Sequence, residues 1–443
     1  MKIFTFVFCF LFCVSANANE TVDLSGKWNF ALDRADVGVT DSWFEQQLKE
    51  SINLPGALQS QNYGNEISTD TPWVLSLYDR SWFLREDYKN YTKPGRVKVP
   101  FLSQPPKHYV GAAWFQREIE IPENWRGKRI TLLLERPHWE TAVWLDDKKI
   151  GSNRSLVAPH IYDFGETQTG KHLISIRVDN RLLMAYRPDA HSVSDSLAGS
   201  WNGIVGKIEM QATSPIWIDD AQVFTRSEPP AVAGGSTPKT ALVKIRIGNS
   251  TNKTGNGTIT ANGKTQNITW SADGGTAEIE VQFSKDAQTW DEFHPVLQKI
   301  SLQLKSDNAG DAREVSFGLT EFKARGNEFI LNNRPIYFRG NHHGGDFPLT
   351  GYPPTDVEYW RKIFQINKDW GINHVRFHSF CPPEAAFQAA DELGIYLQPE
   401  PGMWNEISPG TPVEKMLYEE TERMIKAYGN HPSFLLLSPS NEP

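Results

Sequence analysis

The sequence predicts a multidomain β plus α/β fold, with two antiparallel β-sandwiches followed by a parallel sheet covered by helices. Three observations carry this expectation. The 443 residues exceed what one core organises at roughly 100–200 residues per domain, and suggest about three. Up to Leu319 the chain is a succession of short β-rich runs separated by turn residues, without helical periodicity between them. After Phe322 strands and amphipathic helices alternate, the pattern of parallel strands joined by helical crossovers.

Composition narrows the classes of function. Apolar residues at 39%, charged at 22% and aromatics at 12% describe a globular chain rather than a disordered or collagen-like one. The 45 basic side chains against 53 acidic ones give a net charge of -8, so no positive excess recruits a phosphate backbone and nucleic acid is not an expected partner. Residues 1–18 read as a secretory signal peptide. Lys2 precedes an apolar run from Ile3 to Val14, and Ser15-Ala16-Asn17-Ala18 supplies an A-x-A cleavage site. The run is about a dozen residues against the ~20 that span a bilayer, which sets the membrane-anchor alternative aside. Cleavage leaves Cys381 as the one cysteine, so the expected secreted or periplasmic protein has no internal disulfide and rests on its hydrophobic cores.

Between the signal and residue 214 the β runs include Ile119–Ile121, Arg129–Glu135, Thr141–Leu145 and His172–Val178, spaced as in an antiparallel sandwich. A second β segment over residues 215–320 carries Ala241–Ile247, Glu278–Val281 and Lys299–Leu304, which alternate apolar and polar residues with period two. About a hundred residues of such strands suit an immunoglobulin-like sandwich. The stretch Glu228–Pro238, rich in Pro and Gly, reads as a loop.

Residues 321–443 follow the other grammar. Arg334–Arg339 is an expected strand, Gly340–Gly345 a loop, and Thr355-Asp-Val-Glu358 a capping box that opens a helix with Val357, Trp360 and Phe364 on one face. Strand Ile372–Phe377, helix Pro383–Leu393 stopped by Gly394, and strand Ile395–Gln398 follow. A longer helix runs from about Val413, with Leu417, Thr421, Met424, Ile425 and Tyr428 on one face, before a fourth strand Phe434–Leu437. Polar residues fall at the C-terminal end of each expected strand: His342 and His343, then Arg376 and His378, then Glu400, then Asn441 and Glu442. In a barrel of parallel strands that face gathers the active site. Each residue taken singly could equally be a solvated loop residue or a helix cap; four consecutive strands showing the pattern favour a site.

Gly429-Asn-His-Pro-Ser433, a short apolar strand and then Asn441-Glu442-Pro443 resemble the acid/base strand of glycoside hydrolase family 2, the family of β-galactosidases, β-glucuronidases and β-mannosidases. Leu24-Ser-Gly-Lys-Trp28, Leu54-Pro-Gly56, Ala113-Trp-Phe-Gln-Arg117 and Trp201-Asn-Gly-Ile-Val-Gly206 are similar to that family's N-terminal jelly-roll, and Val143–Gly151 to one of its turns. Trp290–Leu297 resembles the end of its immunoglobulin-like middle domain. Phe329-Leu331-Asn332 and Phe338–His342 resemble the entry into its barrel. The resemblance implies a jelly-roll over 19–214, an immunoglobulin-like sandwich over 215–320, and the first half, about four strands, of a TIM (β/α)8 barrel over 321–443.

It further implies a retaining, exo-acting β-glycosidase, β-galactosidase-like, which removes terminal sugars from oligosaccharides or glycans. Retention takes two carboxyl groups about 5–5.5 Å apart, one a nucleophile and one an acid that later acts as base on water. By resemblance Glu442 is the acid/base, Asn441 bonds the sugar 2-hydroxyl, and Arg376 holds the nucleophile ionised; a structural ion pair across strand ends is the other reading of Arg376. His342, His378, Glu400 and Trp404 are expected sugar contacts, Trp404 by stacking. His343 to Asp346 form a turn. No His or Cys cluster offers a metal geometry, so no metal and no cofactor is assigned, with a cation left open. The partner is a carbohydrate, with no membrane after signal cleavage and with homo-oligomerisation of the full-length protein left open. The family's nucleophile lies on the seventh barrel strand, so none is assigned in this chain. The 118 residues from Gly326, against about 250 in a whole barrel, lead to the expectation of an inactive fragment. Leu437-Ser-Pro-Ser440 and Arg376–Pro382 depart from the family's usual Trp-Ser-Leu-Gly and R-T-S-H-Y-P, which leaves the sugar open more than the reaction class, and Asp146-Asp147 replaces the usual Asn-Gly, a change of turn chemistry without functional consequence. Two other readings remain: a non-catalytic sugar-binding sandwich protein with a barrel remnant, and another barrel hydrolase such as a mannanase, which the two leading sandwiches disfavour.

Overall fold

The computed structural model describes residues 20–442 apart from 75–79, 102, 188–189, 191, 196–200, 228–238, 308 and 403. The expected signal peptide and the loop Glu228–Pro238 lie outside the described residues. In the first β region, two antiparallel sheets face one another. One runs in the order Glu50–Leu54, Gly26–Asp33, Ala112–Ile121, Gly170–Asp179, Glu140–Leu145, Lys148–Arg154. The other runs Glu20–Asp23, Gly203–Thr213, Arg129–His138, His160–Glu166, with Gly56–Ala57 added to the Gly203 strand. Trp28, Phe30, Phe115, Leu132, Leu134, Val143, Ile174 and Ile208 fill the core between them. Alternate residues of each strand can reach it because strand side chains alternate faces. At the Leu145–Lys148 hairpin, Asp146 takes a positive φ of 55° and its carboxylate accepts the Leu173 N–H at 2.8 Å; aspartate thus serves where Asn-Gly is usual.

The second β region pairs Ile216–Ser227, Lys239–Asn249 and Gly275–Phe283 in one sheet. Lys264–Trp270, Gly255–Ala261, Leu297–Lys305 and Gly310–Gly318 form the other. The period-two reading holds residue by residue: Val243, Ile245 and Ile247 are buried while Lys244 and Arg246 are exposed.

The third region departs from expectation in detail. Arg334–Ile336 pairs antiparallel with Glu328–Leu331, which pairs with Phe322–Arg325. The first parallel strand is Gly340–His343 itself, which the sequence reads as a loop, and His342 and His343 lie on it instead of after it. Its neighbours are His374–Phe377 and Tyr396–Gln398, with His342 in register with Arg376 and Arg376 with Gln398. In place of a fourth strand at Phe434–Leu437 there is a single parallel bridge between Leu397 and Phe434. The main chain still follows the sheet there, with Leu397 N–H donating to Ser433 O at 2.7 Å.

Helix α1 (Val357–Asp369) starts one residue later than the capping box suggests. Asp356 is the N-cap and accepts the Glu358 N–H, displacing Thr355 from that role. Helix α2 (Glu384–Leu393) ends at Gly394 with φ 72°, where a side chain would also meet the backbone of Asp291 and Glu292 at 2.8–3.0 Å. Helix α3 (Pro412–Tyr428) begins at the N-cap Thr411, with Pro412 in its first turn. It buries Met416, Glu420, Met424 and Tyr428, a face rotated from the one read in the sequence, and Ile425 is 46% exposed. The rotation has a cause outside the helix. Residues 155–158 of the first sandwich pack against it, and the Leu156 N–H (2.8 Å) and Ser155 hydroxyl (3.2 Å) donate to the Glu420 carboxylate. Val157 and Ala158 join Trp360, Phe364, Val375, Phe387 and Met424 in one apolar core, so sandwich and helical unit are packed as neighbours.

Candidate active site

Parallel strands bring their C-terminal ends to one side, and the expected site residues lie there. Arg376, on the second parallel strand, is the organising side chain. Its Nε donates to Glu400 Oε1 at 2.7 Å and its Nη2 to Asn441 Oδ1 at 2.9 Å, so one planar guanidinium links the ends of the second and third strands to the segment that carries Glu442. Glu400 is 0% exposed. Its other oxygen accepts the Ser379 N–H at 2.6 Å, and Ser379 reaches it through a left-handed backbone, φ 49°. Glu400 was an expected sugar contact. Its two oxygens are bonded to Arg376 and to the Ser379 N–H, so it braces the Arg376 guanidinium from the end of the third strand.

Asn441 is held with its oxygen on Arg376 and Glu442 beside it is exposed. The amide and the carboxyl expected to act together are thus presented by a fixed neighbour. His342 and His378 meet as rings 4.9 Å apart. Burial lowers the pKa of His378, with the Glu400 carboxylate opposing and His342 and Arg376 reinforcing the shift, so neutral imidazole is favoured at the mouth. His343, expected only as part of a turn, is turned inward. Its Nδ1 accepts the Gly345 N–H at 3.0 Å and its ring packs among Phe347, Trp360 and Phe377. Burial, more than its charged neighbours, keeps its pKa low.

Trp404 is half-buried, and the Arg187 guanidinium of the first sandwich sits 5.4 Å from its ring centroid. Arg187 also donates its backbone N–H to Asn405 Oδ1 at 2.7 Å, and the Ser192 hydroxyl donates to Gly402 O. Arg187 and Ser192 of the first sandwich therefore buttress Trp404, Asn405 and Gly402 after the third strand. Ser379, Arg187 and Asn405 are not singled out by the sequence. Ser379 acts through its backbone, and Arg187 is separated from Asn405 by more than two hundred residues with no shared motif. Among the described residues no three His, Cys, Asp or Glu side chains gather as a metal site requires.

Comparison with known proteins agrees with the motifs. The family model "Glycosyl hydrolases family 2, sugar binding domain" matches residues 22–82 and "Glycosyl hydrolases family 2, TIM barrel domain" matches residues 322–443. A putative β-glucuronidase of Formosa agariphila is 26% identical over 418 residues, covering 91% of this chain and 47% of its own length. A β-galactosidase of Thermoanaerobacterium thermosulfurigenes is 21% identical over 385 residues, covering 81% of this chain and 52% of its own. Among solved structures, a β-glucuronidase of Bacteroides uniformis superposes with a TM-score of 0.69 at 16% identity over 94% of this chain and 46% of that one. The chain thus spans about half the length of these relatives. The chain resembles glycoside hydrolase family 2, by its sugar-binding domain over residues 22–82 and by its TIM-barrel domain over residues 322–443.

Proposed function

We propose that this chain carries the acid/base half of the active site of a secreted or periplasmic, retaining, exo-acting β-glycosidase. Glu442 protonates the leaving oxygen and then deprotonates water, and Asn441 bonds the 2-hydroxyl of the departing sugar. The observation that supports this best is the Arg376 fork, which ties Glu400 to Asn441. It fixes the amide while leaving the adjacent carboxyl exposed to a substrate. The names of the relatives put a terminal β-glucuronide first among the sugars to try, with the β-galactoside expected from the sequence second.

Glu400 is a poor nucleophile in this arrangement. A nucleophilic carboxylate needs a free oxygen facing the anomeric carbon, and both oxygens of Glu400 are bonded inside the protein. The 443-residue chain on its own is therefore expected to release no product from aryl β-glycosides. In the full-length protein, Glu442→Gln should lower kcat by about 10²–10⁴-fold on a substrate with a poor leaving group, measured against aryl β-glucuronide, β-galactoside and β-mannoside. Turnover by the isolated chain, or a Glu442→Gln enzyme as fast as its parent, would overturn the assignment.

A further inference from the structure

Where the first sandwich meets the loop that follows the first parallel strand there is a cleft of about 310 Å³, at the lower end of the roughly 300–1,000 Å³ of small-molecule sites. One wall comes from the sandwich, with Ser60, Gln104 and Trp201, and the other from the barrel loop, with Leu349, Thr350 and Tyr352. Glu442 and Asn441 are not among its lining residues. Both walls are built rather than loose. The indole of Trp201 stacks on His138, centroids 4.6 Å apart and planes 21° apart, and also meets Tyr352 at 6.0 Å. The loop is closed by Gly351 N–H donating to Phe347 O at 2.7 Å, and Phe347 is buried. Gln104 is braced between Val97 O (3.0 Å) and Val99 N–H (2.9 Å).

The chemistry of this lining is selective. Among the described residues that line the cleft there is no Asp, Glu, Lys, Arg or His, although 22% of the chain is charged. An ionic ligand would lose hydration there without meeting a counter-charge. The Ser60 hydroxyl donates to Ala57 O at 2.9 Å and the Thr350 hydroxyl to Tyr352 O at 2.6 Å. With their protons committed, both oxygens offer lone pairs, which suits a ligand rich in O–H donors. Aromatic and proline surfaces supply the apolar complement, and Leu349, 95% exposed, stands at the rim. Hydroxyl donors on an uncharged ring with one apolar face describe a neutral pyranose.

We propose that this cleft binds an uncharged sugar ring of the glycan on which the protein acts. The inference deepens the glycosidase reading and rests on it for the expectation that the ligand is a glycan; the chemistry of the lining stands by itself. The test is calorimetric titration of the 443-residue chain with cellotetraose, xylotetraose and β-1,4-galactotetraose, with tetragalacturonate as the charged comparator. Saturable binding of at least one neutral tetraose is expected, weakened about tenfold or more by Tyr352→Ala, with tetragalacturonate bound more weakly. Because Tyr352 packs on Trp201, a second variant, Leu349→Asp, alters only the exposed rim and should also weaken binding without shifting the thermal midpoint. No saturable binding of any neutral tetraose, binding indifferent to both cleft variants, or tetragalacturonate bound as tightly as the neutral sugars would each overturn the proposal. Binding here together with a full-length protein that cleaves no β-glycoside would uphold the cleft and sink the glycosidase reading; cleavage without binding here would do the reverse.

Discussion

Arg376 shows how much a single side chain decides at this site. Removing it would take from the buried Glu400 carboxylate its charged partner, leaving the Ser379 N–H as a hydrogen-bond donor to it, and breaking a buried pair from one side costs about 3–5 kcal/mol. Because Arg376 is itself one-third exposed, Arg376→Met is expected to fall at the lower end, with a clearly reduced urea midpoint. Arg376→Lys, which keeps the charge and loses the fork, should lie between it and the parent. Equal midpoints for all three chains would show that the pair contributes nothing. His431 makes a second residue-scale case. Burial opposes its charge, yet Asp391 Oδ2 at 2.6 Å and Glu384 Oε1 at 3.1 Å outweigh that and push its pKa from 6.5 up to about 10. A folded pKa raised above the unfolded one contributes stability fully below about pH 6.5, and that contribution is lost as pH rises toward 10. Thermal midpoints should therefore decline across this window, and His431→Gln should flatten the decline. The sequence shows His431 inside the Gly429–Ser433 motif but not its two carboxylates, because 40 and 47 residues separate it from them.

At the scale of elements, local rules set where helices stop more securely than which face they bury. Gly394 stops α2 where the sequence places the stop, since a left-handed cap favours glycine and the neighbouring Glu292 backbone leaves no room for a Cβ. Gly394→Ala is expected to cost more than about 1 kcal/mol, read as a lowered unfolding midpoint; a neutral result would mean that the 291–292 backbone moves aside. Helix α3 teaches the opposite. Its hydrophobic period selects Leu417 and Ile425 for the core, whereas the structure buries Met416 and Glu420, because a second domain supplies N–H and O–H donors that make a buried carboxylate tolerable. Burial raises the Glu420 pKa. Glu420→Gln, which keeps an acceptor for the Leu156 N–H, should be tolerated near neutral pH. Glu420→Ala, which orphans that donor, should lose about 1–3 kcal/mol. If the two variants were equally stable, the hydrogen bonds from residues 155–156 would not be what holds α3.

On the scale of the whole molecule, the β regions are the most legible. Alternating strands such as Lys239–Asn249 carry their own record of which face is buried, because the side-chain period of a strand is fixed at two. The parallel region is legible as a type and less so in its bounds. Gly340–His343 contains two histidines and a glycine and reads as a loop, yet it becomes a strand because His374–Phe377 lies beside it and accepts its pairing; β structure is decided by the partner as much as by the segment. The expected strand at Phe434–Leu437 shortens to one bridge on Leu397 for the same reason, seen from the other side. The order of β and α/β regions and the stop of α2 at Gly394 follow from local periodicity and turn chemistry, whereas the strand ends themselves shift, with His342 and His343 lying on their strand. Tertiary packing alone settles which of the polar residues there support one another. It turned Glu400 inward onto Arg376, sank His343 among aromatic rings, set Arg187 over Trp404, and closed an uncharged cleft between two domains. Those outcomes depend on distances between side chains far apart along the chain, and no local pattern encodes them.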